Sequence, residues 1–293
     1  MKPAQFEYVA PESVDQALGL LAEHADVAKV IAGGQSLGPL LNMRLARPDL
    51  LIDLNRLREL DYVREDDGAL VIGALTRQRA VERSPRVSMH WPLLHEAVGY
   101  IGHPTIRNRG TVGGSVAHAD PSAELPAVVT ALDAELRIRG PRGERTAAPK
   151  DFFVTYLTTS LGTDELLVEV RFPPRPTRTG YAWEEYARRH GDFALAGVAA
   201  TISLAGDGVC TSARLVYTGV GPVPFDAREA ADLLIGQPPS SEAFGLAAER
   251  AAADCEPDAD VHASADYRRH LVRGLTRRAL ERALSRVAED SGA

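Results

Sequence analysis

Residues 30–38 read VIAGGQSLG, and residues 110–117 read GTVGGSVA. Each sets a Gly-Gly pair between apolar sequence and a hydroxyl side chain. Without a Cβ, paired glycines let successive backbone N–H groups converge closely on an anion. A following helix adds its positive N-terminal end, and Gln or Ser adds further donors. One such turn is a common structural feature. Two in one chain match the two phosphates of a dinucleotide approached from opposite sides. Neither is followed by the Lys of a Walker A loop, and neither has GxGxxG spacing, so the pattern asks for a dinucleotide held in another way.

Outward from the first pair, VAKVIA (27–32) reads as a buried strand. Leu37, Leu40, Leu41 and Leu45 form one face of a helix, with Ser36 as its cap. Upstream, QFEYVA reads as a short strand, and the stretch Ser13 to Gln16 as a capping box for a helix carrying Ala17, Leu18 and Leu21. LLIDL (50–54) is a further strand, so residues 1–55 make a small α/β unit. From 56 to 175 both element types mix: ALVIGA as a strand, a helix around 89–101, then HPTIRNRG and the second glycine pair. Asp120 and Pro121 open a helix as cap and first residue. AELRIRG and ELLVEVRFP alternate as strands, with a PRG turn after the first. RFPPRPTRTG (171–180) is a linker candidate, and beyond it, in 178–290, two strands precede Ala-rich helices. The fold class is α+β in three sub-domains.

The chain has 293 residues, 45% apolar and 25% charged, with net charge −7, which is globular composition with room for several cores. No basic tail or Lys/Arg stripe offers a nucleic acid or an anionic membrane a docking site. The opening MKPAQFEYVAPES lacks the apolar core of a signal peptide, and no run approaches a membrane span, so a cytoplasmic protein is expected. Two cysteines, Cys210 and Cys255, cannot ligate an iron–sulfur cluster, and no HExxH accompanies the scattered histidines. No metal is expected on this chain.

VIAGGQSLGPLLNMRLARPDLLIDLNRL, IRNRGTVGGSVAHADPSAELPA, ELLVEVRFP and RRHGDFA, in that order over essentially the whole chain, resemble the FAD-binding medium subunit of the molybdenum hydroxylases, the xanthine dehydrogenase and carbon monoxide dehydrogenase family. The resemblance implies a two-part FAD-binding domain of the vanillyl-alcohol oxidase type, plus a C-terminal domain with a small antiparallel sheet and helices. It implies that Ala32, Gly33, Gly34, Gln35 and Ser36, with Thr111, Val112, Gly113, Gly114 and Ser115, wrap the FAD pyrophosphate between two sub-domains. Glu124 falls where the family has an acid contacting the adenosine end, and Leu167 at an apolar position near the cofactor's rings. It further implies a heterotrimer, with 2Fe–2S clusters on a small subunit and molybdopterin on a large one. FAD on this chain would pass electrons to a small-molecule or protein acceptor, so no catalytic side chain is named. Two positions depart from the family: Ser115 stands where Asn is usual, and Glu185 where a Lys is frequent.

Other features carry two readings. His103, Arg107 and Arg109 fit a solvated polar loop, or assist a phosphate or a partner. Tyr186, Arg188 and Asp192 fit a structural turn or a cofactor contact. The run YRRHLVRGLTRRALERALSRV fits a salt-bridged surface helix or a subunit-docking face. Cys210 and Cys255 read as inert packing residues. At the level of the whole chain, an independent FAD oxidoreductase and a non-catalytic scaffold stand beside the electron-transfer subunit.

Overall fold

The computed structural model describes residues 1–290. Strands β1 (Glu7–Val9), β2 (Ala28–Ile31) and β3 (Leu50–Asp53) form a parallel sheet in the order β1-β3-β2, with helices α1 (Val14–His24) and α2 (Leu37–Asn42) in the connections. Helix α1 starts at the expected cap, where Ser13 accepts the Gln16 N–H, but the reciprocal bond of a capping box is displaced by one residue, Gln16 Oε1 accepting the Glu12 N–H in place of that of Ser13. Its stripe of Val14, Ala17, Leu18 and Leu21 packs on Leu50 and Ile52 of the central strand. Strand β2 is not buried as its composition suggests. It lies at the sheet edge, with Lys29 exposed and its neighbours half-buried. Helix α2 also stops short of Leu45, which is 71% exposed. Arg44 takes φ 59°, and the Arg44 and Leu45 N–H groups bond back to the carbonyls of Leu41 and Leu40, closing the helix in a Schellman turn with Arg where Gly is usual.

A five-stranded antiparallel sheet follows, ordered β4 (Val63–Asp66), β5 (Ala69–Gly73), β10 (Leu166–Phe172), β6 (Glu135–Gly140) and β7 (Gly143–Ala147). Strands β8 (Phe153–Thr155) and β9 (Thr158–Thr159) form a separate hairpin. Between β5 and β6 run α3 (Gln78–Glu82), α4 (Pro85–His90), α5 (Pro92–Tyr100), α6 (Pro104–Arg107), α7 (Val112–His118) and α8 (Glu124–Ala131), and α9 (Pro149–Phe152) follows β7. The alternation expected of ELLVEVRFP is absent, because β10 is buried on both faces. Leu167, Val170 and Phe172 enter the core under the helices, while Leu166 and Val168 meet the N-terminal unit. A bulge between Leu167 and Glu169 permits this change of face.

The last sheet is antiparallel, ordered β11 (Thr179–Tyr186), β12 (Ala196–Leu204), β13 (Cys210–Thr218) and β14 (Phe225–Asp226), and is backed by α10 (Arg228–Asp232), α11 (Ser241–Asp254) and α12 (Ala265–Asp290). One face packs on those helices. The other sends Trp183, Ala199 and Val216 into the core of the preceding unit, so packing is continuous across the Pro-rich break. Helix α12 is the Arg-rich run, and its arginines are used within the chain. Arg278 and Arg282 pair with Glu184, Arg282 and Arg286 with Glu96 of α5, and Arg273 and Arg277 with Glu249. The salt-bridged reading therefore accounts for this face. Both cysteines are buried and unlinked, and burial raises their thiol pKa. Among the described residues no helix is long and apolar enough to cross a membrane, and no cluster of three or more metal-ligating side chains occurs.

Candidate functional site

The first glycine motif is an open turn. Gly34 has φ +71°, a left-handed conformation that glycine adopts without strain. The Gly38 N–H returns to the Gly34 carbonyl at 2.9 Å, and Gln35 Nε2 donates to the Gly33 carbonyl at 2.9 Å. Among the described residues, the N–H groups of Gly33, Gly34, Gln35 and Ser36 donate to no protein acceptor. Four consecutive N–H groups without a protein acceptor are free to meet an anion. Ser36 does not cap α2: its backbone is already helical, at φ −99° and ψ −50°, and its hydroxyl receives no hydrogen bond from the helix.

The second motif is not a loop. Thr111 caps α7, and its Oγ1 accepts the Gly114 N–H at 3.1 Å. The Val112 and Gly113 N–H groups bond the carbonyls of Thr76 and Ala74 at 3.0 and 2.9 Å, and the Ser115 N–H bonds the Thr111 carbonyl at 3.2 Å. Gly113 is needed for close approach, since a side chain there would set its Cβ 2.4 Å from the Ala74 Cβ. All four donors of residues 112–115 are thus committed inside the protein.

The two motifs touch. A Cβ on Gly33 would lie 2.3 Å from the Arg109 carbonyl oxygen, and one on Gly114 would lie 3.7 Å from the Ala32 Cβ. A polar chain absent from the sequence reading spans the junction. Asn55 Nδ2 donates to the Ala32 carbonyl at 2.7 Å, Arg77 Nη2 to Asn55 Oδ1 at 2.6 Å, and Arg77 Nη1 to the Arg109 carbonyl at 2.6 Å. Residues so far apart in sequence leave no local pattern that joins them.

Glu124 opens α8 and is 4% exposed. Burial first, and then the charge of Glu185, push its carboxyl up to about 8. Burial raises Glu185 to about 7, opposed by a hydrogen bond from Trp183 Nε1 at 2.9 Å. Glu185 pairs across the sheet with Gly197, and Gly197 with Thr218. Thr218 Oγ1 donates to the carbonyls of Pro121 and Ala123 at 2.8 Å, which ties this row to the start of α8. Those contacts also delay the helix. Asp120 is not its cap; its Oδ1 accepts the Ser122 N–H at 2.9 Å, and Ala123 takes the cap position. Leu167 is buried within the core beneath the helices.

Arg107 leaves the solvated-loop reading. It is 5% exposed, its fork holds Glu82 with two bonds of 2.9 Å, and it also donates to the carbonyls of Ile101 and Gly102. With Arg79 it draws the Glu82 carboxyl down to about 2. His103 and Arg109 remain exposed. In the RRHGDFA stretch, Arg188 bonds His262 at 2.8 Å, and Phe193 is 58% exposed. The arrangement is suited to holding an anion at residues 32–36, beside a wall formed by the segment 109–115.

The family described as "FAD binding domain in molybdopterin dehydrogenase" matches residues 4–175, and that described as "CO dehydrogenase flavoprotein C-terminal domain" matches residues 181–283. The chain is 45% identical to the 6-hydroxypseudooxynicotine dehydrogenase complex subunit alpha of Paenarthrobacter nicotinovorans, over 98% of this chain and 97% of that protein. It is 39% identical to the caffeine dehydrogenase subunit beta of Pseudomonas sp. strain CBB1, over 98% and 97%. Among solved structures, a chain of the carbon monoxide dehydrogenase of Hydrogenophaga pseudoflava, in a form lacking the Mo-pyranopterin moiety, superposes with a TM-score of 0.95 at 40% identity, covering 98% of this chain and 99% of that one.

Proposed function

Since the chain belongs to the FAD-binding medium subunits of the molybdenum hydroxylases, we propose that it is the electron-transfer subunit of such a complex, receiving electrons from 2Fe–2S clusters on a small partner subunit and delivering them to an external acceptor. The substrate would be oxidised at molybdopterin on a large subunit. The observation that carries the reading is the open turn at 32–36, whose four unpaired N–H donors lie against the start of α7. When bound, FAD supplies the redox chemistry, which side chains cannot.

The chain's own residues bind and orient. The N–H groups of Gly33, Gly34, Gln35 and Ser36 hold the diphosphate, and the Ser36 hydroxyl, unused by α2, adds a donor. Thr111, Val112, Gly113 and Gly114 form the opposite wall, kept rigid by their internal hydrogen bonds. The Ser115 side chain carries no amide and the N–H groups of 112–115 are already taken, so the binding load falls on the first motif. Glu124 is the acceptor for the adenosine end, and Leu167 supports the core beneath. Glu185 is held by the Trp183 indole in a largely buried position, which disfavours its ionised form.

The test is a gentle purification from native cells, with the visible spectrum, flavin identity, iron and molybdenum measured in one fraction. Flavin, iron and molybdenum co-eluting with two other chains is the expected result. Flavin on a lone chain that turns over a small substrate would replace this reading with the independent oxidoreductase, and a colourless chain would overturn it.

A further inference from the structure

Arg77 sits at the junction of the two glycine motifs, and its contacts are unusual for a partly exposed arginine. Both ends of its fork go to neutral acceptors, the Asn55 amide oxygen and the Arg109 carbonyl, each at 2.6 Å. Neither Arg77 nor Arg109 makes a direct ion pair among the described residues; burial first and then the charge of Arg109 lower the pKa of Arg77, while Asp61 and Asp53 raise it. The Arg77 guanidinium therefore spends its hydrogen bonds on neutral groups and keeps its charge beside the open turn.

Arg77 is itself braced. Asn55 is held by Asp53 through its N–H at 2.9 Å and its side-chain amide at 2.5 Å, and Asp53 accepts the Tyr8 hydroxyl at 2.6 Å. Asn55 grips the Ala32 carbonyl, so the carbonyl side of the first turn is tied down. Its N–H groups are left without an acceptor among the described residues. The chain Tyr8–Asp53–Asn55–Arg77 thus runs from the first strand of the N-terminal unit to the segment that leads into α7.

We propose that Arg77 is a positioning residue for the flavin diphosphate: by clamping Asn55 and the Arg109 carbonyl together it fixes the spacing between the two glycine motifs, and its charge draws the dianion in. This rests on the reading of the chain as an FAD carrier. Removing the fork frees the Ala32 turn from the Arg109 segment and removes its charge.

The experiment uses the full chain, stripped of flavin, and measures FAD binding by fluorescence quenching at several salt concentrations, with the melting temperature of the apoprotein alongside. Arg77→Met is expected to weaken FAD about 30-fold, from the loss of two charge-assisted hydrogen bonds. The salt dependence of binding should flatten, because a screened charge has been removed. Arg77→Lys should keep the salt dependence and recover only part of the affinity, since a point charge cannot make the two-pronged bond. Asn55→Ala should lower affinity while leaving the salt dependence intact, and combining it with Arg77→Met should be less than additive. FAD binding by Arg77→Met with wild-type affinity and wild-type salt dependence would overturn the proposal. So would an affinity loss that leaves the salt slope unchanged and follows the melting temperature across all variants. If Arg77→Met does not fold, Arg77→Gln, which also removes the charge, decides by the same readouts. A wild-type chain that binds no FAD would instead sink the flavin reading on which the proposal rests.

Discussion

The turn at 32–36 and the helix start at 111–115 carry nearly the same residues, a small or hydroxyl residue, a glycine pair and a serine, and they lie in contact. They differ in what their backbone donors do. In the turn, four N–H groups meet no acceptor among the described residues; at the helix start, the Thr111 hydroxyl and the carbonyls of Thr76, Ala74 and Thr111 take all four. Neighbouring packing decides between these outcomes. Gly34 is left-handed and lies just past the end of an edge strand, whereas Gly113 is pressed onto Ala74 at the end of β5, a strand buried inside the five-stranded sheet. Glycine pairs of one composition can therefore serve as a ligand cradle or as a close-packing device.

The largest effect should come from Gly33→Val. Its Cβ would lie 2.3 Å from the Arg109 carbonyl oxygen, so the turn must move away from the 109–110 segment. FAD affinity is expected to fall about 100-fold, read by fluorescence titration, with a stability loss of about 2 kcal/mol alongside. Gly113→Ala should act through the fold alone. Overpacking against Ala74 should lower stability by about 2 kcal/mol in chemical denaturation, while the folded fraction keeps most of its affinity. If the two variants exchange these signatures, the contrast between cradle and wall is broken.

Glu124 sharpens the comparison from the start of α8. Its folded-state pKa of about 8 lies above the ordinary glutamate value of 4.5, so the folded protein holds this proton more tightly than the unfolded chain. Its stabilising contribution is complete below pH 4.5 and is lost as pH rises to about 8. Glu185 and Asp120 reinforce the shift, and Arg107 opposes it. The apoprotein's melting temperature should fall across that window, and Glu124→Gln should flatten the fall without removing the part due to Glu185.

Smaller effects separate the two hydroxyls. Thr111→Val removes a helix cap and should cost about 1 kcal/mol of stability with little change in FAD affinity. Ser36→Ala removes no cap, so stability should stay within about 0.5 kcal/mol, and any change should appear in FAD binding.

Much of this arrangement is legible in the sequence, because it is local. The cap of α1, the strands around 50 and 69, and the glycine pairs are set by residues a few positions apart. The features that were not legible arise where distant segments meet. VAKVIA has a core strand's composition but lies at an edge, and ELLVEVRFP loses its alternation because a bulge and a second packed unit bury both its faces. Asp120 and Pro121 have the chemistry of a helix start, yet Thr218, nearly a hundred positions on, claims the Pro121 carbonyl and moves the helix to Glu124. Arg107 looks like a solvated loop residue until Glu82 is brought beside it. The Arg77 clamp joins 55, 77 and 109, which no periodicity links.

The most direct measurement is amide hydrogen exchange on the full chain with and without FAD, read at the two glycine motifs. Residues 33–36 should exchange rapidly in the apoprotein and become protected on adding FAD, while 112–115 should be protected already and change little. Amides at 33–36 that ignore FAD, or new protection confined to 112–115, would contradict the assignment of the open turn as the diphosphate cradle.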